Sequence, residues 1–236
     1  MVNQEEIMQQ LQVGMQALQT GNLDAAENIF RNILSTNSSE VHSLHFLGVV
    51  FCQKGNLDDG VALIEQSIRL DPSRYGPYLN LGRFLLGANQ LDSAVAALRQ
   101  AVQREVNSFD AWSLLSQASF SAGNADAALK AGKRAAEINP GNAEIFFSLG
   151  TYATEKNKEE AIDYYRRAVS IDPASFKAWV NLGNCLLDFQ RVEDSIAAFD
   201  EALKSNPSCF QALMSLSRAY GDLGKWEESL TVAQQS

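Results

Sequence analysis

Residues 181–207 read NLGNCLLDFQRVEDSIAAFDEALKSNP, and residues 80–94 read NLGRFLLGANQLDSA. Both stretches open NLG, then two residues, then LL, and their starts lie 101 positions apart. A small residue at the same place in each phrase recurs along the whole chain: Gly14, Gly48, Gly82, Ser116, Gly150, Gly183 and Ser217. The steps are 34 residues, with a single step of 33 between Gly150 and Gly183, so 101 is two steps of 34 and one of 33. A second row of small residues follows twelve positions later (eleven in the fifth unit): Ala26, Gly60, Ala94, Ala128, Ala161, Ser195 and Ser229. Four of the five prolines, Pro72, Pro140, Pro173 and Pro207, keep the same rhythm. Self-similarity at such a period is the signature of a repeat architecture, in which each unit buries its apolar face only by stacking on its neighbours.

Each unit divides into two helices. In the second, Leu44, Leu47, Val50 and Phe51 recur at helical spacing, the pair Gly55-Asn56 breaks the pattern, and Leu57 to Leu70 forms a second helix stopped by Asp71-Pro72. An acidic residue opens the second helix of every unit: Asp24, Asp58, Asp92, Asp126, Glu159, Glu193 and Glu227. A carboxylate there is expected to accept from free backbone N–H groups or to complement the positive end of the helix dipole, a structural and not a catalytic role. The paired rows of small residues let two helices approach closely, while Leu47, Leu81, Leu115, Leu149, Leu182 and Leu216 fill the seam.

Composition narrows the function. Hydrophobic residues make up 46% of the 236, enough for a core. A formal net charge of −9 argues against nucleic acid or an anionic membrane surface as partner. Three scattered cysteines, Cys52, Cys185 and Cys209, suit reduced thiols in a cytoplasmic protein and not a disulfide framework. The opening MVNQEEIMQQ carries neither the basic nor the apolar segment of a signal peptide. The longest apolar candidate, LHFLGVVF at 44–51, falls far short of the roughly 18 residues of a membrane span.

Catalytic motifs are scarce: the chain has no P-loop, no GxGxxG after a strand, no HExxH and no GxSxG. It has two histidines, which leaves little for general-base or metal chemistry. His42 and His45 share a helix face with Cys52, but three ligands without a fourth make a thin metal site. No cofactor, metal or catalytic residue is expected.

Trp179, Leu182, Gly183, Leu186, Ser195, Phe199, Ala202 and Pro207 resemble the tetratricopeptide repeat, with its W-x2-LG-x2-Y, A-x3-F, A and P pattern. The resemblance places repeats at 7–40, 41–74, 75–108, 109–142, 143–175, 176–209 and 210–236, the last incomplete. It implies an all-α, right-handed superhelical solenoid and a single domain over 1–236. The fifth unit lacks one residue between its helices, so its turn is expected to be tighter. The seventh stops without a polar capping helix, from which a longer parent chain is expected. The overall pattern is similar to the N-terminal arrays of bacterial O-GlcNAc-transferase-like or sulfotransferase-like proteins.

In that family the first helix of each repeat lines a concave groove. Its ninth slot here holds Met15, Val49, Arg83, Gln117, Thr151, Asn184 and Arg218, and its sixth includes Phe46, Asn80 and Asn181. The second slot adds His42 and Lys177. The resemblance therefore implies a protein or extended peptide as partner, held by Asn80, Arg83, Gln117, Thr151, Lys177, Asn181, Asn184 and Arg218. The bland alternative is a row of polar residues facing solvent. The asparagine ladder of O-GlcNAc transferases keeps only Asn80 and Asn181, and the two-lysine clamp for chaperone tails is absent. Three functions remain open: a non-catalytic interaction scaffold, the substrate-recruiting arm of a larger transferase, and a self-assembling structural protein.

The first repeat differs from the rest. Met8, Leu11, Met15 and Leu18 fall at i, i+3, i+7 and i+10, one apolar stripe where a groove should be polar. Met1 and Val2 offer too little apolar surface to cover it. The expectation is an apolar partner segment or a homodimer through the first two repeats, with His42 and Phe46 at its edge.

Overall fold

The computed structural model describes residues 4–234, and among these are fourteen α-helices and no strand. The first three pairs are α1 (Gln4–Gln19) with α2 (Leu23–Thr36), α3 (Val41–Gln53) with α4 (Leu57–Leu70), and α5 (Tyr75–Gly87) with α6 (Leu91–Arg104). The fourth and fifth are α7 (Phe109–Ser121) with α8 (Ala125–Ile138) and α9 (Ala143–Thr154) with α10 (Lys158–Ile171). The last two are α11 (Phe176–Asp188) with α12 (Val192–Ser205) and α13 (Phe210–Asp222) with α14 (Trp226–Ala233). The fold is an all-α helical repeat. Met1 and Val2, the cover considered for the first stripe, lie outside the described residues.

The turns inside the pairs follow from one backbone device. In six of them an amide N–H closes on the carbonyl five residues earlier, as Asn22 on Ala17 and Asn56 on Phe51 (both 2.9 Å) and Gln90 on Leu85 (2.8 Å). This wide closure needs one residue in the left-handed region. Glycine supplies it at Gly21 (φ 75°), Gly55 (89°), Gly123 (79°) and Gly224 (70°), whereas Asn89 (58°) and Gln190 (57°) adopt it despite their side chains. The shortened fifth turn is tighter, as its length implied: Asn157 N–H closes on Ala153, only four residues back, at 2.7 Å, with no left-handed residue.

Of the two roles expected of the acidic row, its place at the positive end of the helix dipole holds in every pair, and the side-chain caps come from elsewhere. Side-chain caps on the second helices come from asparagine: Asn22 accepts from Ala25 N–H (3.2 Å), Asn124 from Ala127 (3.0 Å) and Asn157 from Glu160 (3.3 Å). The acidic row sits two residues further in, in the first turn of each helix. Instead Asp24 pairs with Lys54 at 2.6 Å and Asp126 with Lys156, each lysine coming from the turn of the next repeat. These two members of the row thus tie neighbouring repeats together, and all seven favour the helix dipole.

The helices group into two compact units, residues 1–118 and 119–236. In the first, Leu11, Ala26, Phe30, Ile33, Leu47 and Val50 form a core flanked by Leu18, Phe46 and Phe51. In the second, Tyr165, Leu182, Cys185, Leu186 and their neighbours form one cluster, and Leu187, Phe199, Leu216 and Ala219 another. The first small-residue row stays small because a large side chain from the second helix lies against it, and in the second row Gly60 faces the backbone of Gly48 and the Cys52 thiol on the first helix. A Cβ at Gly14 would stand 2.7 Å from the Phe30 ring, and one at Gly183 2.5 Å from Phe199. First helices also touch first helices of the adjoining repeat, α1 with α3 and α3 with α5 in one unit, α11 with α13 in the other. Each unit therefore presents a surface built from first helices, and the candidate residues lie there.

Candidate functional site

In the second unit the first-helix surface centres on a residue that the sequence reading did not single out. Tyr165 occupies the packing slot on α10 that holds Phe30 or Phe199 in other repeats, and its ring is buried. Its hydroxyl emerges among Thr151, Thr154 and Asn181, each with a polar atom 3.3 Å away. These groups line a concavity of about 340 Å³ that also takes in Phe120, Asn184 and Asp188. Asn184 accepts from Ser215 Oγ at 2.9 Å, which joins α11 to α13 across this surface. Thr151 donates to the Phe147 carbonyl (3.1 Å), the usual resting bond of a helical threonine. Lys177 and Arg218 are exposed on the same two helices. The only signal for Tyr165 in the sequence was a hydroxyl in a row otherwise apolar.

Cys185 borders the same concavity, and burial pushes its thiol above the usual range. A thiol held protonated in this way is a poor nucleophile.

In the first unit, Asn80 Nδ2 lies 3.0 Å from His45 Nε2, so one of its amide groups is committed to a neighbouring first helix. Arg83 and Gln117 are exposed. The slot-nine row is thus divided, with Arg83 and Gln117 in one unit and Thr151, Asn184 and Arg218 in the other.

The apolar stripe of α1 does not stay together. Leu11 is only 4% exposed and belongs to the first core, and Leu18 packs against that core too. Residues seven apart keep company, Met8 with Met15 and Leu11 with Leu18, but positions three apart lie about 60° apart around the helix, and the edge of the core falls between them. What remains open is Met8 (62% exposed) and Met15, which with Phe46, His42 and Arg74 enclose a cleft of about 730 Å³. No cluster of three or more histidine, cysteine or carboxylate side chains able to hold an ion occurs among the described residues. Nor is any helix among them long and apolar enough to cross a membrane.

Comparison with known proteins agrees with this geometry. Models of the tetratricopeptide repeat match residues 14–75, 79–143 and 152–219. Among solved structures, YrrB, a TPR protein with an unusual peptide-binding site, superposes with a TM-score of 0.71 at 19% identity, covering 78% of this chain and 95% of YrrB. PilF of Pseudomonas aeruginosa gives 0.73 at 16% identity, covering 88% and 95%, and MamA gives 0.68 at 22%, covering 71% and 92%. A stretch of 104 residues, 44% of this chain, is 30% identical to Superkiller protein 3 of Saccharomyces cerevisiae, and it spans 7% of that much longer protein. With its paired helices, its left-handed turns and its small-residue seams all repeating at the period that these models describe over most of its length, the chain belongs to the tetratricopeptide repeat family.

Proposed function

We propose that the chain is a non-catalytic scaffold for protein–protein interaction, which takes an extended peptide or protein segment along its first-helix surfaces. The observation that carries this reading is the concavity over Tyr165. There a phenol, two threonine hydroxyls and two asparagine amides converge on space large enough for part of a peptide backbone. Such groups both donate and accept, and so match a main chain that alternates N–H and C=O. Arg218 and Lys177 extend the polar surface on the same helices, and Asn80, Arg83 and Gln117 offer a similar set in the first unit. The peptide-binding site of YrrB, on the same fold, supports the choice of ligand class.

The test is a double variant, Asn181→Ala with Asn184→Ala, used against an array of synthetic extended peptides alongside the unaltered chain. Loss of captured peptides from a chain that is still fully helical, with its melting curve lowered by only the few degrees that two lost hydrogen bonds imply, is the expected result. Capture that is undiminished would remove this surface as the binding site.

A further inference from the structure

We propose that the face formed by α13 and α14 is a dimerisation surface, closed by the same face of a second copy of the chain. Four large apolar side chains stand out on it, Phe210 and Met214 on α13 and Trp226 and Leu230 on α14, each between 48% and 71% exposed. The members of each pair are four residues apart, so each pair forms a row along its helix.

The preceding repeat shows that this is a packing face. Thirty-four positions earlier stand Phe176, Val180, Val192 and Ile196. Phe176 and Val180 pack with Cys209 and Ala212, and Val192 and Ile196 with Leu216 and Ala219, so all four lie against α13 and its cap. The face of α13 and α14 repeats that surface, with a methionine and a tryptophan in place of the two valines, and nothing among the described residues covers it. The two rows are fixed relative to each other. Ser217 Oγ donates to the Ser229 carbonyl at 2.9 Å, and Ser229 Oγ to the Ser217 carbonyl at 2.8 Å.

A second copy does not fill this face with its first repeat. On α1 the counterparts of Cys209, Ala212, Leu216 and Ala219 are Glu6, Gln9, Val13 and Gln16, and burying those polar side chains against Trp226 would cost their hydration. A symmetric pair does fill it. A two-fold axis sets the α13 row of one copy on the α14 row of the other, and the reverse, so one contact is made twice and the assembly closes. Charge permits this: residues 207–236 hold Arg218 and Lys225 against Asp222, Glu227 and Glu228, so one of the nine net negative charges of the chain sits here. Covering the exposed parts of the four side chains would remove roughly 500 Å² of mostly apolar surface per copy, or about 1,000 Å² per pair, the size at which specific interfaces begin.

The experiment is sedimentation equilibrium of the full chain from low to high micromolar concentration, where an interface of this size is expected to come apart. The mass should rise from one chain to two and stop there. Leu230→Glu should raise the dissociation constant at least about a hundredfold, since each pair then buries two unpaired charges, and Met214→Lys should do the same. An equal mixture of these two variants should recover the pair to within about tenfold of the unaltered chain, because the two-fold sets the lysine of one copy on the glutamate of the other. Met8→Glu should dimerise as the unaltered chain does, as should Asn181→Ala with Asn184→Ala, which separates this face from the first repeat and from the site over Tyr165. A chain that stays monomeric at high micromolar concentration, a dimer that survives Leu230→Glu, or a mixture that recovers nothing would overturn the proposal. So would a mass that climbs beyond two chains and that Val13→Glu halts, since copies would then stack end to end.

Discussion

At the scale of single residues, His45 shows how a polar group in a packing position acquires a role that spacing does not announce. Its ring is 3% exposed, lies against Phe46 with centroids 4.7 Å apart, and accepts from Asn80 through Nε2. Burial first, then the charges of Arg74 and His42, push its pKa down to about 3. The unfolded chain, with an ordinary histidine near 6.5, binds a proton that the folded chain refuses. Stability from this residue is therefore complete above about pH 6.5 and falls with acid, by up to about 1.4 kcal/mol per pH unit down to the folded pKa. Urea melts at pH 7.0, 6.0 and 5.0 should show that decline, and His45→Gln should flatten most of it. A smaller slope of the same sign should persist from His42, whose pKa burial also lowers. Glycines divide on the same logic of local space. Gly183→Ala would drive a methyl into the Phe199 ring and should cost about 1–3 kcal/mol, whereas Gly87→Ala meets nothing within 4 Å and should stabilise by up to about 1 kcal/mol. The glycine row was legible because spacing alone exposed it. His45 and Tyr165 were not, since a histidine or a phenol in an apolar row reads as a filler until its partner is in place.

At the scale of elements, the helix boundaries were legible because turn chemistry is local. A Gly-Asn pair marks a left-handed turn whatever the rest of the chain does, and the missing residue in 151–159 could only shorten its closure. Of the two roles open to the acidic row, the place at the positive end of the dipole holds, while in three second helices the asparagine two positions earlier takes the free amides, and in two the carboxylate pairs with a lysine across the repeat boundary. That partnership spans thirty residues and leaves no trace in a single unit. The turns also carry a correctable strain. Gln190 sits at φ 57°, a conformation that costs a residue with a Cβ about 1–2 kcal/mol, while four sister turns use glycine there. Gln190→Gly should raise stability by about 1 kcal/mol after the entropy of the more flexible unfolded chain is set against the relief. Thermal unfolding followed by circular dichroism would detect the rise. The mirror change Gly123→Gln should lower stability by a similar amount.

At the scale of the whole molecule, the architecture was written in the period, yet the sites were only half written. The row of hydrogen-bonding residues on first helices could be read off by slot, but not which of them meet: Thr151 and Asn181 converge on Tyr165, while Arg83 and Gln117 remain separately exposed. The stripe on α1 was visible too, but burial divided it, and that Arg74 at the end of the second repeat borders the same cleft was not, because nothing in the period links the two. A repeat array has a further property that follows from its contacts. Within each unit helices pack chiefly on their sequence neighbours, so stability is expected to be close to a sum of repeat terms and nearest-neighbour terms, and damage should remain near its origin. Phe199, on α12, is fully buried against α11 and α13, and removing its ring should cost about 3–5 kcal/mol locally. Phe199→Ala should therefore speed amide hydrogen exchange strongly in α11 to α14, where the cluster of Leu187, Leu216 and Ala219 loses its centre. Helices α1 to α4, whose core of Phe30, Ile33 and Val50 shares no residue with that cluster, should exchange as in the unaltered chain. Exchange read by mass spectrometry, peptide by peptide, decides the matter. Uniform acceleration from end to end would mean that the seven repeats open as one cooperative body, and that the nearest-neighbour description fails for this chain.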